Sequence, residues 1–290
     1  GLIAYYPFNG NARDEAGHGH DGAVVGATLT ADRHGKPNSA YLFKPRNYIK
    51  VEGLMGKPKN VTLSAWARLA KPHGVRGADI VSLGLYVTLR LDNSEYKSTR
   101  GAGGIFYAGK KPGHTWQHLM DGKFYANTGW HHLVCTFDDV NNKQVVYLDG
   151  KQIRTAEDKG PIVYEGLGKD SYFGKCSPSS GNIAGSTGWD FRGVIDDIRI
   201  YDRALSSEEV EGLFLIEKSA EGLKPAVKTP TEKKEGSSPS ATEPNEGEPA
   251  VPEPEPAKSE PAKPDPAEKA KKPGTVLWEF ETGGSVSSSP

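Results

Sequence analysis

Apolar and polar residues alternate with a period of two along several short stretches of this 290-residue chain. In residues 61–69, VTLSAWARL, the small and aliphatic side chains fall on one face: Val61, Leu63, Ala65, Ala67 and Leu69. Trp66 and Arg68 fall on the opposite face. Because successive side chains of a strand point to opposite sides, this pattern predicts a middle strand of a sandwich, with both faces partly covered.

Short segments of this kind recur, with turn residues about every ten positions. The expected strands occupy residues 2–8, 24–29, 39–43, 48–51, 132–138, 143–148, 151–155 and 171–174, and residues 80–91 are expected to form one or two strands around Gly84. Residues 92–126 are the least regular part, with strand interrupted by long loops. We therefore predict an all-β fold, a two-sheet antiparallel jellyroll sandwich. A doubly wound α/β fold would need regular helices between its strands.

The stretch from residue 191 to 215, FRGVIDDIRIYDRALSSEEVEGLFL, begins with one more predicted strand. Asp196 and Asp197 lie in the middle of its β-branched run, where alternation would point them to opposite faces. Buried carboxylates cost free energy unless something pairs with them. Both aspartates therefore need a partner.

The same stretch ends in one short C-terminal helix. Ser206 and Glu209 have the spacing of a capping box at a helix start. Val210, Leu213 and Phe214 form the apolar stripe that follows. The strand and helix together are expected to close the domain.

The composition changes sharply at residue 218. Residues 218–273 contain 12 of the chain's 21 prolines, 10 basic and 11 acidic residues and no aromatic residue. Such a segment cannot bury enough apolar surface to offset the entropy of ordering, so we predict a disordered linker. Residues 274–290 regain strand character, and WEFETGGSVSSSP resembles the start of a pyrroloquinoline-quinone-type β-propeller repeat. We therefore predict a domain over 1–217, a linker over 218–273, and over 274–290 the truncated start of a propeller-like domain that continues beyond residue 290.

Three motifs, in order along the chain, resemble one family. GVIDDIRIYDRALSSEEV is similar to the closing motif of LamG-like jellyroll domains, in the concanavalin A-like lectin/glucanase superfamily. GLIAYYPFNGNARDEAGHGHDG resembles that family's first strand and loop, and GWHHLVCTFDDVNNKQVVYLDGKQI its central hairpin. The resemblance covers residues 1–217 and implies that the first and last strands lie side by side. It identifies a fold better than a ligand, because the family is functionally diverse.

Composition removes several functions from consideration. The net charge of −1 gives no electrostatic basis for binding nucleic acid or an anionic membrane surface. No apolar run approaches the ~20 residues that a membrane-spanning helix requires. The chain starts at Gly1, inside a strand pattern, and we interpret it as a piece of a longer protein. Cys135 and Cys176 could form a disulfide or remain buried thiols, and both alternatives stay open.

Hard oxygen donors suggest a calcium site. Asn9, Asn11 and Asp14 lie in a turn-rich loop, and Asp196 and Asp197 add two carboxylates. Calcium takes roughly six to eight such oxygens. Concanavalin A-like domains often hold a structural calcium, and the resemblance brings the first and last strands together. The alternative is that Asp14 makes a turn hydrogen bond while the strand aspartates pair with arginine: Arg13, Arg192 or Arg199.

A second cluster of metal-ligand types is His18, His20 and Asp21, in the sequence HGHD. Zinc would need further ligands, and none is near in this turn-forming loop. We therefore favour a solvated loop over a zinc site.

Four aromatic residues lie in loop-rich regions, where lectin-like domains carry ligand contacts: Tyr107, Trp116, Tyr125 and Trp189. Aromatic faces stack on sugar rings, which makes these residues candidates for carbohydrate binding. The alternative is that they cover the core, because Trp and Tyr are commonly half-buried.

Catalytic residues are not evident. Glycosidases of the superfamily carry acidic residues alternating on one strand, spaced for an acid and a nucleophile. This sequence has no such Glu-x-Asp-x-x-Glu arrangement, and Glu208, Glu209 and Glu211 fall on the predicted helix. His131 and His132 have no Ser or Cys partner at motif spacing.

We therefore expect a non-catalytic binding or adhesion module for carbohydrate or a protein surface, within a larger secreted or envelope-associated bacterial protein. A structural spacer or accessory domain for a C-terminal propeller is the alternative. A glycoside hydrolase is disfavoured by the missing acid pair.

Overall fold

The computed structural model describes residues 1–70, 78–85, 87–92, 100–110, 113–157, 160–178 and 189–219. For Lys110 and residues 113–116 only the backbone is described. All these residues belong to the first of the two units into which the chain divides, residues 1–228. The predicted linker, apart from its first two residues, and the predicted propeller-like start at 274–290 lie outside the described residues. No helix among the described residues is long and apolar enough to cross a membrane.

The described residues form strands almost throughout, with one helix at the end. The strands are β1 (Leu2–Tyr6), β2 (Ala23–Val25), β3 (Thr28–Thr30), β4 (Ala40–Phe43), β5 (Tyr48–Val51), β6 (Val61–Leu69), β7 (Asp79–Leu83), β8 (Val87–Asp92), β9 (Gly101–Lys110), β10 (Gly113–Met120), β11 (His131–Asp138), β12 (Lys143–Leu148), β13 (Lys151–Ala156), β14 (Ser171–Phe173) and β15 (Gly193–Tyr201). The helix is α1 (Ser207–Lys218).

The strands pair into two antiparallel sheets, which confirms the predicted sandwich. The eight-stranded sheet has the order β13-β12-β11-β6-β15-β4-β3, with β1 also paired to β15. The seven-stranded sheet has the order β10-β9-β8-β7-β14-β5-β2. The first and last strands are neighbours, as the family resemblance implied, with Tyr6 opposite Ile198.

The core lies between the two sheets. The five residues of β6 predicted to share a face are all fully or almost fully buried there: Val61, Leu63, Ala65, Ala67 and Leu69. A second, smaller apolar cluster lies outside the eight-stranded sheet, where α1 packs: Val134, Val145, Tyr147, Leu205 and Val210. Both faces of this sheet are therefore covered along its middle, which explains why Trp66 on the outer face of β6 is only 5% exposed.

The predicted capping box is confirmed at the start of α1. The Ser206 hydroxyl accepts the Glu209 N–H, and the Glu209 carboxylate accepts the Ser206 N–H at 2.8 Å. Arg203 adds two hydrogen bonds of 2.7 Å to the same carboxylate. These contacts satisfy free N–H groups of the first turn and fix the angle at which α1 leaves β15.

One strand prediction was wrong, and the region predicted to be least regular has longer strands than expected; glycine has a part in both. The strand expected over 24–29 is split at Gly26, whose φ of +72° turns the chain, so that β2 and β3 enter different sheets. The region expected to be irregular contains two long paired strands, β9 and β10. Its GAGG sequence lies within β9. Gly104 faces the other sheet there, and a Cβ at this position would come within 2.5 Å of the Cys135 sulfur. Glycine permits close packing between the sheets here.

The cysteines form no disulfide with each other. Cys135 is a free thiol in the core, and Cys176 is a free, partly buried thiol after β14. Burial raises the pKa of Cys135 to about 12, so its thiol stays protonated. The open question about these residues is settled in favour of free thiols.

Candidate functional site

Charged side chains are buried against the outside of both sheets. Outside the eight-stranded sheet, under α1, lies a set that we call the Glu217 network: Arg33, Trp66, His132, Asp196, Asp197, Arg199 and Glu217. Outside the seven-stranded sheet lies a second set that we call the Arg90 face: Asp79, Thr88, Arg90, Tyr107, His118 and Trp189.

In the Glu217 network, Arg33 is the partner of the two strand aspartates. Its Nη1 lies 2.6 Å from Asp196 Oδ2 and 2.7 Å from Asp197 Oδ2, and all three side chains are at most 4% exposed. A turn positions the arginine, because Asp32 Oδ1 accepts the N–H groups of His34 and Lys36. Arginine was the predicted alternative to calcium as the partner. Of the arginines named for it, Arg199 lies 3.9 Å from Asp197, whereas Arg33 was not named.

The two aspartates do not point to opposite faces, as strict alternation predicted. Asp197 has a φ of +47°, and the pairing of β15 with β6 shifts between Asp196 and Arg199. This β-bulge adds a residue to one strand and turns both carboxylates toward the same guanidinium. The Tyr5 hydroxyl donates a further 2.9 Å hydrogen bond to Asp197.

Glu217, one residue from the end of α1, is the centre of the network. Its Oε2 accepts the indole N–H of Trp66 at 2.7 Å and lies 3.4 Å from His132 Nε2, while Oε1 pairs with Arg199. Its backbone carbonyl accepts two hydrogen bonds from Arg33, at 3.0 and 2.8 Å. Trp66 stacks between Phe214 of α1 and the Arg33 guanidinium. The network therefore fixes the C-terminal end of α1 to the sheet.

Burial dominates the electrostatics of this network. It raises the pKa of Asp196, as does the neighbouring charge of Asp197, although Arg33 opposes the shift. It lowers the pKa of His132 to about 3, with help from the charges of Arg199 and Arg33. His132 is therefore neutral at physiological pH.

Ser64, His132 and Glu217 lie together, yet they do not form a hydrolytic triad. Ser64 Oγ is 2.9 Å from His132 Nε2, and Glu217 approaches the same nitrogen. In a triad the acid holds Nδ1 so that Nε2 can take the serine proton. Here Nδ1 has no hydrogen-bond partner among the residues that the structure describes, and the histidine is fully buried. The arrangement supports packing of α1 and excludes substrate.

The five predicted calcium ligands do not share one site in this arrangement. The Asp14 carboxylate accepts backbone N–H groups from four residues: Tyr5, Ala16, His18 and His20. Asn9 Oδ1 accepts from Lys36, and Asn11 Oδ1 accepts from the Arg13 N–H. Asp196 and Asp197 already hold Arg33. Because these oxygens already face donors or a cation, the donor set does not fit calcium, and a calcium requirement stays an untested prediction.

The HGHD cluster serves the same loop. Asp21 Oδ1 accepts the Asp14 N–H at 2.9 Å, and the His20 carbonyl accepts the Tyr6 hydroxyl at 2.5 Å. In the described part of the chain, no three His, Cys, Asp or Glu side chains are grouped so as to hold a metal ion. These hydrogen bonds hold the conformation of the loop that follows β1.

On the Arg90 face, an ion pair supports an aromatic ring. Arg90 Nε lies 2.6 Å from Asp79 Oδ1, and both side chains are at most 3% exposed. The Arg90 guanidinium lies over the Trp189 ring, 4.5 Å from its centroid. Three buried atoms have no hydrogen-bond partner within the described residues: Asp79 Oδ2, Arg90 Nη1 and Thr88 Oγ1. This face retains unused hydrogen-bonding capacity, which is uncommon for buried polar groups.

Strand register places His118 and Tyr107 on this same face. Arg90 and Thr88 alternate on β8 with the core residues Leu89 and Leu91. His118 is opposite Ile105, which is opposite Thr88, so His118 shares the outward face. The surrounding protein partly desolvates the His118 imidazole, and this, followed by the charge of Arg90, lowers its pKa. The side chain as a whole is still exposed to solvent.

The four predicted ligand-binding residues are divided between two places. Tyr107 on β9 is half-buried and directly opposite Trp116 on β10, whose side chain is not described. Trp189 is half-buried over Arg90. Tyr125 lies apart, 6% exposed within the core cluster, with its hydroxyl donating to Asp121. Tyr107 and Trp116 thus occupy paired backbone positions on β9 and β10, and Tyr107 also packs against the core cluster. Trp189 lies at Arg90, and Tyr125 belongs to the core.

Four residues of the Arg90 face were not predicted: Asp79, Thr88, Arg90 and His118. The sequence VTLRLD of β8 contained a usable signal, because Arg90 alternates with leucines and a charged residue on a buried strand demands a partner. No local signal identified Asp79 as that partner, since the two residues come together only through the pairing of β7 with β8.

The chain belongs to the concanavalin A-like lectin/glucanases superfamily, because residues 44–211, more than half of its length, match the Laminin_G_3 family model. No curated protein matches the sequence.

Two solved structures illustrate the fold. Domain 4 of AbnA, an extracellular GH43 arabinanase from Geobacillus stearothermophilus, was solved with arabinotriose. Its sequence is 19% identical to this one. The structural match covers 73% of this chain and 97% of the arabinanase domain, with a TM-score of 0.52. The binding domain of Paraclostridial Mosquitocidal Protein 1 is 17% identical, with 73% of this chain covered and a TM-score of 0.50. The match covers only 51% of that structure, so this chain resembles about half of it.

Proposed function

We propose that this domain is a non-catalytic carbohydrate-binding module and that the Arg90 face is its binding surface. The observation that supports this most directly is the Arg90 guanidinium, which lies over the Trp189 ring and forms an ion pair with Asp79. A stacked and ion-paired guanidinium restrains the indole before any ligand arrives, which lowers the entropic cost of binding.

The groups available to a ligand are of the right kinds for a sugar. Trp189 and Tyr107 are half-buried, and His118 is exposed beside them. Aromatic rings cover the apolar face of a sugar ring, while polar groups meet its hydroxyls. Asp79 and Arg90 are buried themselves and act as positioning residues for Trp189.

The described chemistry favours binding over turnover. Asp79 is fully buried and held by Arg90, so it does not offer a carboxylic acid to a glycosidic oxygen. Burial, and then the charge of Asp79, raise the pKa of the Cys176 thiol beyond reach of neutral pH, which argues against a thiolate nucleophile. His132 is enclosed under α1.

The biological setting that fits is a secreted or envelope-associated bacterial protein with further domains after the linker. The arabinanase domain of similar fold comes from an extracellular enzyme and was solved with arabinotriose, so arabinotriose is the natural first probe. A protein surface as the partner in place of a sugar is the competing outcome of the same experiment.

The test is calorimetric titration of the full chain with arabinotriose and with xylo-, cello- and chitotriose. We expect saturable binding to one of them that Trp189→Ala weakens at least tenfold, about 1.4 kcal/mol. Phe214→Ala, which removes a ring packed on Trp66 of the other sheet, serves as the matched control and should bind like the wild type. Absence of binding to all four sugars, or equal binding by Trp189→Ala, would refute the proposal.

A further inference from the structure

A cavity of about 390 Å³ opens outside the eight-stranded sheet, beside the Glu217 network and on the opposite sheet from the Arg90 face. Its lining includes Leu42, Arg68, Leu69, Asn127, Gly129 and Val194. The volume falls within the range of roughly 300–1,000 Å³ that is usual for small-molecule sites.

Strand pairing builds the base of this cavity. Val194 on β15 is opposite both Leu42 on β4 and Arg68 on β6, so the three side chains share the outward face. Trp130 immediately precedes β11, whose first residue, His131, is opposite Ala67 of β6. The apolar side chains of Leu42 and Val194 therefore lie next to the cationic side chain of Arg68, while Trp130 is outside the lining and contacts Arg68.

Arg68 and Trp130 form a preassembled pair. The Arg68 guanidinium lies over the Trp130 ring, 5.5 Å from its centroid, and Arg68 is exposed. None of the residues that line the cavity is acidic, and Arg68 makes no ion pair within the described ranges. A stacked guanidinium keeps its edge N–H groups free, and that edge matches a carboxylate in a bidentate geometry.

We propose that this cavity is a second ligand site, specific for a carboxylate-bearing sugar unit such as a uronic acid. Arg68 binds the carboxylate, the apolar base covers the sugar ring, the Asn127 amide meets a hydroxyl, and Trp130 positions the Arg68 guanidinium and reports on its occupancy. The inference does not depend on the Arg90 face, because the two sites lie on different sheets and use different residues.

The test is titration of the ¹⁵N-labelled full chain with trigalacturonate and, as the neutral counterpart, galactotriose. The readout is the indole N–H signal of each tryptophan, assigned by substitution. We expect trigalacturonate to move the Trp130 signal saturably, and galactotriose to bind at least tenfold more weakly. The Trp66 signal should stay fixed, because its N–H is held by Glu217.

Arg68→Gln removes the charge at an exposed position and should weaken trigalacturonate binding at least tenfold. Arg13→Gln, at another exposed arginine, should not change it. A Trp130 signal that does not move, or equal binding of trigalacturonate by Arg68→Gln, would overturn the inference. Because Trp189 reports on the Arg90 face, the same spectra separate failure of this site from failure of the proposed function.

Discussion

The Glu217 network and the Arg90 face both bury arginine and carboxylate groups on the outside of a sheet, but they differ in how their groups are used. In the Glu217 network, the Glu217 side chain and carbonyl receive donors from Arg33, Trp66 and Arg199, and α1 covers them. On the Arg90 face, half-buried Trp189 lies over Arg90, and His118 is exposed. Both regions contain buried atoms without a hydrogen-bond partner among the described residues, such as His132 Nδ1 in the network and Asp79 Oδ2 on the face, so the difference lies in what covers them. Cover by a helix indicates a structural role, whereas aromatic and polar side chains that solvent reaches indicate a surface for ligands.

The largest expected effect is on stability, through Arg33→Leu in the Glu217 network. This change leaves Asp196 buried without its cation and Asp197 with only Arg199, 3.9 Å away. Removal of one partner of a buried pair typically costs about 3–5 kcal/mol. Urea unfolding at pH 7 would measure it. Arg13→Leu, at an exposed arginine, is the control and should change stability by no more than about 0.5 kcal/mol. A similar small loss for Arg33→Leu would mean that the network is not structural.

Paired substitutions at the two regions sharpen the comparison. Asp79→Asn and Glu217→Gln each remove one buried negative charge that faces an arginine. We expect each to lower the free energy of unfolding by about 2–4 kcal/mol, because an arginine loses its counter-ion. Only Asp79→Asn should also weaken sugar binding, about tenfold, since only Asp79 positions Trp189 through Arg90. Calorimetry and unfolding on the same samples give both values. Equal loss of sugar binding in both variants would contradict the assignment of binding to the Arg90 face and of a structural role to the Glu217 network.

The Glu217 network should also make stability depend on pH through His132. Its pKa is about 3 in the folded chain and near 6.5 when unfolded, so its contribution is complete above pH 6.5 and is lost as the pH falls toward 3. The stability advantage of the wild type over His132→Gln should therefore shrink below pH 6.5, by up to about 1.4 kcal/mol per pH unit. Unfolding curves between pH 4 and 8 measure this difference. A constant difference across that range would show that His132 is not buried and neutral.

A smaller effect is expected at the other end of α1. Ser206→Ala removes the hydroxyl that accepts the Glu209 N–H, and loss of such a cap costs about 1 kcal/mol. Ser206→Asp keeps an acceptor and should restore most of the stability. Thermal unfolding of the two variants would reveal the difference, and no loss in Ser206→Ala would indicate that Glu217 alone holds the helix.

Calcium should have the smallest effect. The oxygens of Asn9, Asn11 and Asp14 accept hydrogen bonds within the first loop, and Arg33 occupies Asp196 and Asp197. We therefore expect the same melting temperature with added calcium and with EDTA. A rise of several degrees with calcium would restore the predicted site and require Arg33 to leave the aspartates.

Much of the fold was readable from local patterns. The alternation in residues 61–69 predicted β6, and the spacing of Ser206 and Glu209 predicted the cap of α1, because both depend on neighbours in the chain. The bulge at Asp197 was not predictable, since periodicity assumes regular pairing. Arg33 and Glu217 are 184 residues apart, and nothing local couples them. Only part of the Arg90 face was predictable from the sequence. Its aromatic residues were recognisable, but the ion pair between Asp79 and Arg90 depends on strand register.

The most direct test of the comparison is to follow the indole N–H signals of the five tryptophans during titration with the trisaccharide that binds most tightly. The account predicts that the Trp189 signal shifts saturably, while Trp66, hydrogen-bonded to Glu217 under α1, does not move. A shift at Trp66 with Trp189 unchanged would contradict it, and would place the ligand under α1 rather than on the Arg90 face.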